Sequence, residues 1–138
     1  MIRKLEEERN TMKITTFNPM IITKQPEAAI ALFEALGFER RHTKTEDGDI
    51  DFSAVRMKDE NGFHVDVVTS EKIPSERDLT AIRINVDDFD AAAELLKSHG
   101  FRESQAFGVH YTPSSKYAYF ISPSGFLVDL CKHMKQDE

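Results

Sequence analysis

Apolar and polar positions along the chain alternate between two periods. Around "TTFNPMIIT" and "LTAIRINV" the β-branched content and two-residue alternation predict strands. Each is followed by a stretch with helical spacing: Ala29, Leu32, Phe33 and Leu36 in one, Ala92, Leu95, Leu96 and His99 in the other. Pro26 suits the first helical position, with Glu27 in the first turn, and Asp87 or Asp88 suits an N-cap in the second stretch. Gly37 and Gly100 stand where a helix C-terminus takes a positive φ. Three short strands should follow each helix. They are "FERRHTK", "IDFSAVRMK" and "FHVDVVT" in the first half, and "FRESQAF", "KYAYFI" and "FLVDLCK" in the second.

These halves are copies. A shift of 63 positions pairs Gly62-Phe63-x-Val65-Asp66 with Gly125-Phe126-x-Val128-Asp129. Without a gap, the same shift pairs "EAAIALFEALGF" with "DAAAELLKSHGF", where Ala28, Ala29, Leu32, Gly37 and Phe38 meet identical residues. One offset serving two separated blocks points to a tandem duplication within one domain. Modules are expected at about residues 13–70 and 78–133, joined through "SEKIPSERD", after a charged extension at 1–12 and before a tail at 134–138.

The βαβββ order and the phrases "ALFEALGF" and "ISPSGFLVDL" resemble the glyoxalase / bleomycin-resistance / dioxygenase (vicinal-oxygen-chelate) superfamily. The resemblance spans about residues 13 to 133. It implies an α+β fold in which two tandem βαβββ modules form a cupped mixed sheet, completed by a second subunit, so a homodimer is expected. It does not imply an activity, because lyases, dioxygenases, epimerases and antibiotic-sequestering proteins share the scaffold.

Composition narrows the partner. With 138 residues, 40% hydrophobic and 30% charged, the chain suits one domain of modest core. A net charge of −6 argues against nucleic acid, and no apolar run reaches membrane-span length. A single cysteine, Cys131, excludes an internal disulfide or a cysteine-cluster metal site and suits a reducing cytoplasm.

Strand alternation assigns the candidate site. With Val65, Val67, Val128 and Leu130 toward the helices, as Phe63 and Phe126 should also be, Asp66 and Asp129 face the cup with His64, Leu127 and Cys131. Arg83 and Asn85 join them from "AIRINV". On the first strand, Met20 and Ile22 are expected in the core and Phe17 in the cup. The resemblance implies that the metal-ligand positions of metal-using relatives correspond to Phe17, Asp66, Ala81 and Asp129. Phe and Ala cannot ligate, so no metal and no cofactor is expected; His64 is a weak third donor. Arg83 is expected to form an ionic cluster with Asp66 and Asp129, in which the charges either neutralise each other where a metal was lost or orient a polar ligand, with one carboxylate left to meet a cationic group. His110 and Tyr111 lie in an irregular rim segment, and Tyr117 and Tyr119 could stack a planar ligand or pack an interface. Cys131 should be buried and inert, and His42, His99 and His133 peripheral.

The expected function is metal-independent binding of a small organic molecule in the cup, of the antibiotic-sequestering kind. The alternatives are a glyoxalase-type lyase or isomerase with Asp66 or Asp129 as general base, and a regulatory protein whose cup is filled by Phe17, Leu127 and the tyrosines.

Overall fold

The computed structural model describes residues 12–45, 52–70, 77–104, 109–112 and 115–133. Most of the expected extension and all of the tail lie outside the described residues. In chain order the elements are β1 (Ile14–Thr23), α1 (Pro26–Ala35), β2 (Glu39–Thr45), β3 (Phe52–Lys58), β4 (His64–Ser70), β5 (Leu79–Val86), α2 (Phe89–Ser98), β6 (Arg102–Glu103), β7 (Val109–Thr112), β8 (Ser115–Ile121) and β9 (Leu127–His133). The α+β class and the duplicated βαβββ plan therefore hold. The 63-residue offset is kept element by element: Pro26 to Phe89 for the helices, Phe52 to Ser115 for β3 and β8, and His64 to Leu127 for β4 and β9. The second module differs at "FRESQAF", where β6 is only two residues long. "VHYT", expected to be irregular, forms β7 against β8.

The chain divides into two compact units, Asn18–Ile82 and the residues through Phe17 together with those from Arg83 onward. In the first unit, β2 and β3, then β3 and β4, pair antiparallel, and β4 pairs parallel with β1. Its core joins Ile30 of α1 to Met57, Val65 and Val67, with Ile21, Phe33, Phe38 and Val55 packed around them. In the second unit, β8 takes β9 on one side and β6 and β7 on the other. Phe89, Ala92 and Ala93 of α2 pack there against Val86, Ala118, Phe120, Val128 and Leu130. Each fully buried aliphatic or aromatic side chain contributes about 1.5–3 kcal/mol to holding a helix on its strands.

The two helices begin differently. Asp88 caps α2 by accepting from the Ala91 backbone N–H at 3.0 Å. Gln25, before α1, makes no such side-chain bond, and Pro26 supplies the preset φ instead. Both helices run into a glycine of positive φ, Gly37 at 105° and Gly100 at 88°. Three apolar positions of the helical pattern are exposed: Leu32, Leu36 and Leu95. Ile30 and Ala93 carry the buried faces in their place. Phe63 and Phe126, expected in the core, are also exposed because each precedes its strand in a turn.

Candidate functional site

Alternation on β4 places Val65 and Val67 against α1 and Asp66 on the opposite face, as the pattern predicts. On β1 the expectation is reversed. The parallel register pairs Ile21 with Val67 on the helix side and Met20 with Asp66 on the other. Asn18 and Thr16 therefore belong to the aspartate side of β1, while Phe17 turns the other way and is 62% exposed. Phe17 is thus removed from the candidate site, and Asn18 takes its place.

In the first unit Asn18, Arg56 and Asp66 form one hydrogen-bonded group. Arg56 lies directly across from Asp66 in the β3–β4 register. Its Nε donates to Asp66 Oδ1 at 3.0 Å and its Nη2 to Oδ2 at 3.2 Å. Asn18 Nδ2 donates to the same Oδ2 at 3.0 Å. That bond also sets the amide's orientation, because a carboxylate oxygen demands the NH2 end. Asp66 is buried, so the fork and the amide replace the water it loses. Within its own unit, the cation beside Asp66 is Arg56.

In the second unit Arg83 lies beside Asp129. Its Nε lies 3.8 Å from Asp129 Oδ2, both side chains being largely buried. Cys131 Sγ donates to Asp129 Oδ1 at 3.3 Å. Tyr119 faces Asp129 across the β8–β9 ladder and packs edge-to-face on Tyr117, with centroids 6.3 Å apart. Burial first, and the Asp129 charge second, raise the Cys131 thiol and the Tyr119 phenol well above their ordinary pKa values. Both stay protonated at neutral pH, so Cys131 is a hydrogen-bond donor rather than a nucleophile. Asn85 is buried and donates from Nδ2 to Thr16 Oγ1. With Tyr117, Tyr119, Leu127, Asp129 and Cys131 all buried, this face of the second unit is packed with side chains.

The first unit is more open around Asp66. The Arg56 side chain is 26% exposed, Lys58 is exposed and His64 is half-buried. The side chains of His110 and Tyr111, like those of His42 and His133, lie outside the described residues; His99 is exposed at the end of α2.

These donors do not fit a metal. Asp66 already accepts three hydrogen bonds, two of them from a permanent cation, and Ala81 supplies no donor atom. Among the described residues no three His, Cys, Asp or Glu side chains come together. No helix among them is long and apolar enough to cross a membrane.

Comparison with known proteins bears on the fold. The structure is similar to methylmalonyl-CoA epimerase from Mycobacterium tuberculosis, with a TM-score of 0.63 at 15% identity, over 86% of this chain and 88% of that one. A hypothetical protein from Bacillus halodurans C-125 gives a TM-score of 0.64 at 13% identity, over 93% and 99%. Methylmalonyl-CoA epimerase from Streptomyces coelicolor, in complex with 2-nitronate-propionyl-CoA, gives 0.62 at 16% identity, over 91% and 99%. Comparison with curated protein sequences finds no match. The family model for the Glyoxalase/Bleomycin resistance protein/Dioxygenase superfamily matches residues 14–130, nearly the whole duplicated region, and the chain belongs to that superfamily.

Proposed function

We propose that this chain binds a small organic molecule without a metal ion, on the face that carries Asp66, in the manner of an antibiotic-sequestering protein. The observation that carries this reading is the state of Asp66. By the family resemblance the residue corresponds to a ligand position of metal-using relatives, and here Arg56 and Asn18 bond to both of its oxygens. A divalent ion would have to displace a guanidinium from a buried carboxylate. The same engagement counts against Asp66 as a general base, which needs a free lone pair directed at substrate. Asp129, buried beside Cys131 and Tyr119, is shielded from substrate in a different way. The lyase or isomerase reading is therefore second to the binding one. The protein is further proposed to act as a homodimer in the cytoplasm.

A thermal-shift titration of chelator-stripped protein with Ni²⁺, Zn²⁺, Mn²⁺ and Mg²⁺, followed by a screen of small organic compounds, tests the proposal. Native-state binding raises the melting temperature by mass action. The expectation is no saturable response to any ion and a saturable response to at least one organic compound. A saturable metal response lost in Asp66→Asn would overturn it.

A further inference from the structure

The Asp66 group has a polarity that its sequence conceals. The aspartate is 1% exposed and turned inward, whereas its arginine partner reaches the surface. Arg56 spends one edge of its fork, Nε and one hydrogen of Nη2, on Asp66. The remaining donors, on Nη1 and the outer side of Nη2, belong to the exposed part of the side chain and have no acceptor among the described residues. What this face presents is a donor.

A second cation stands beside it. By alternation Lys58 is on the same face of β3, two residues along, and its register partner on β4 is His64. The chain as a whole is acidic, at −6, yet on this face the carboxylate nearest Arg56 is covered, and Lys58, whose register partners are His64 on β4 and the exposed Glu39 on β2, adds a second outward cation. A second observation is in the backbone. β2 pairs with β3 through a register irregularity between Arg40 and His42, and His42 is the partner of Arg56. Such bulges re-aim the strand locally and recur beside binding sites.

Repeat symmetry sharpens the point. The 63-residue shift carries Asp66 to Asp129 and Arg56 to Tyr119, and each pair is cross-strand. In the second module the position is an aromatic ring buried with its hydroxyl. In the first it is a cation held at the surface by a buried carboxylate. Packing alone is met by the tyrosine solution; the arginine adds directed donors.

We propose that Arg56 anchors an oxyanion, a carboxylate or phosphate group, of the molecule bound on this face, with Asp66 and Asn18 as positioning residues that hold the guanidinium and Lys58 adding charge. The inference rests on the small-molecule-binding reading above and specifies its ligand class as anionic. It reverses the expectation of a cationic ligand meeting a free carboxylate.

The test is ¹⁵N NMR of the arginine side chains of the full chain, titrated with succinate and with inorganic phosphate at constant ionic strength. The Arg56 side-chain resonance should shift saturably with at least one anion, while that of Arg40, which turns to Glu34 of α1 on the opposite face, stays still. Response to succinate alone assigns a carboxylate, and response to phosphate alone assigns a phosphate. Arg56→Lys keeps a cation beside Asp66 but loses the planar fork, and should weaken binding by about tenfold. No saturable shift with either anion, or equal affinity in Arg56→Lys, would overturn the inference. An uncharged compound from the thermal-shift screen that binds Arg56→Lys as well as the natural chain would sink the anchor while leaving the broader binding reading intact. If no organic compound binds at all, that reading fails first.

Discussion

The Arg56–Asp66 pair makes an asymmetric prediction. Removing one partner of a buried ion pair costs about 3–5 kcal/mol, because the other charge is left without compensation in a poor solvent. The two partners here are not equally buried: the Asp66 side chain is 2% exposed and that of Arg56 26%. Arg56→Met takes two hydrogen bonds and the compensating charge from an inward-facing carboxylate, and should cost about 3–4 kcal/mol. Asp66→Asn leaves a guanidinium that can extend into water and still donate to the new amide oxygen. Its cost should be only about 1–2 kcal/mol. The double variant removes both charges and should be more stable than Arg56→Met alone, giving a coupling energy of about 2 kcal/mol. Urea unfolding at neutral pH, followed by far-UV circular dichroism, reads these differences directly. With a slope of about 1–3 kcal/mol/M, the Arg56→Met midpoint should fall by about 1–4 M. If Asp66→Asn proves the more damaging change, or the two losses simply add, then the pair does not hold the strands as described.

Two further outcomes concern the buried thiol and phenol of the second unit and the glycines that end the helices. The Cys131 thiol and Tyr119 phenol have folded-state pKa values raised above their unfolded values of 9.0 and 10.0. Their contributions are therefore fully present below those pH values and are lost as pH rises toward the folded values. Cys131→Ala should remove the loss that begins near pH 9, a slope of up to about 1.4 kcal/mol per pH unit, and delay the onset to near pH 10. Stability curves at pH 8, 9 and 10 that run parallel for the two proteins would contradict this. At the helix ends, Gly37 and Gly100 share a positive φ, but an added Cβ meets nothing within 4 Å at Gly37 and lies 2.9 Å from Pro123 Cγ at Gly100. Gly100→Ala should cost about 1 kcal/mol more than Gly37→Ala, whose loss is backbone strain alone. Equal melting temperatures would show that Pro123 yields freely.

What the sequence made legible was whatever repeats. Element order, helix starts, the glycines after the helices and the inward aspartates all follow from the two periods and the 63-residue offset, because alternation and turn chemistry are local. The errors came from leaving that offset. Carrying Ala81 back by 63 reaches Asn18, and the structure places Asn18, not Phe17, on Asp66. The reading of β1 instead assigned Met20 and Ile22 to the helix side on hydrophobicity. Both are fully buried, but on the other face, because this strand is covered on both sides and apolar content no longer tells the sides apart. Arg56 was missed for a different reason. Its link to Asp66 is a cross-strand register, set by the turn between β3 and β4 and invisible to any pattern along one strand. The same offset exposes it, since Arg56 falls on Tyr119, one of the two tyrosines that could stack a planar ligand or pack an interface. A duplicated fold keeps the geometry of both copies and frees the chemistry of each. Positions where the copies match report on folding, and positions where geometry matches but residue type does not are where to look for function. Arg56 against Tyr119, across from a retained aspartate in both modules, is such a position.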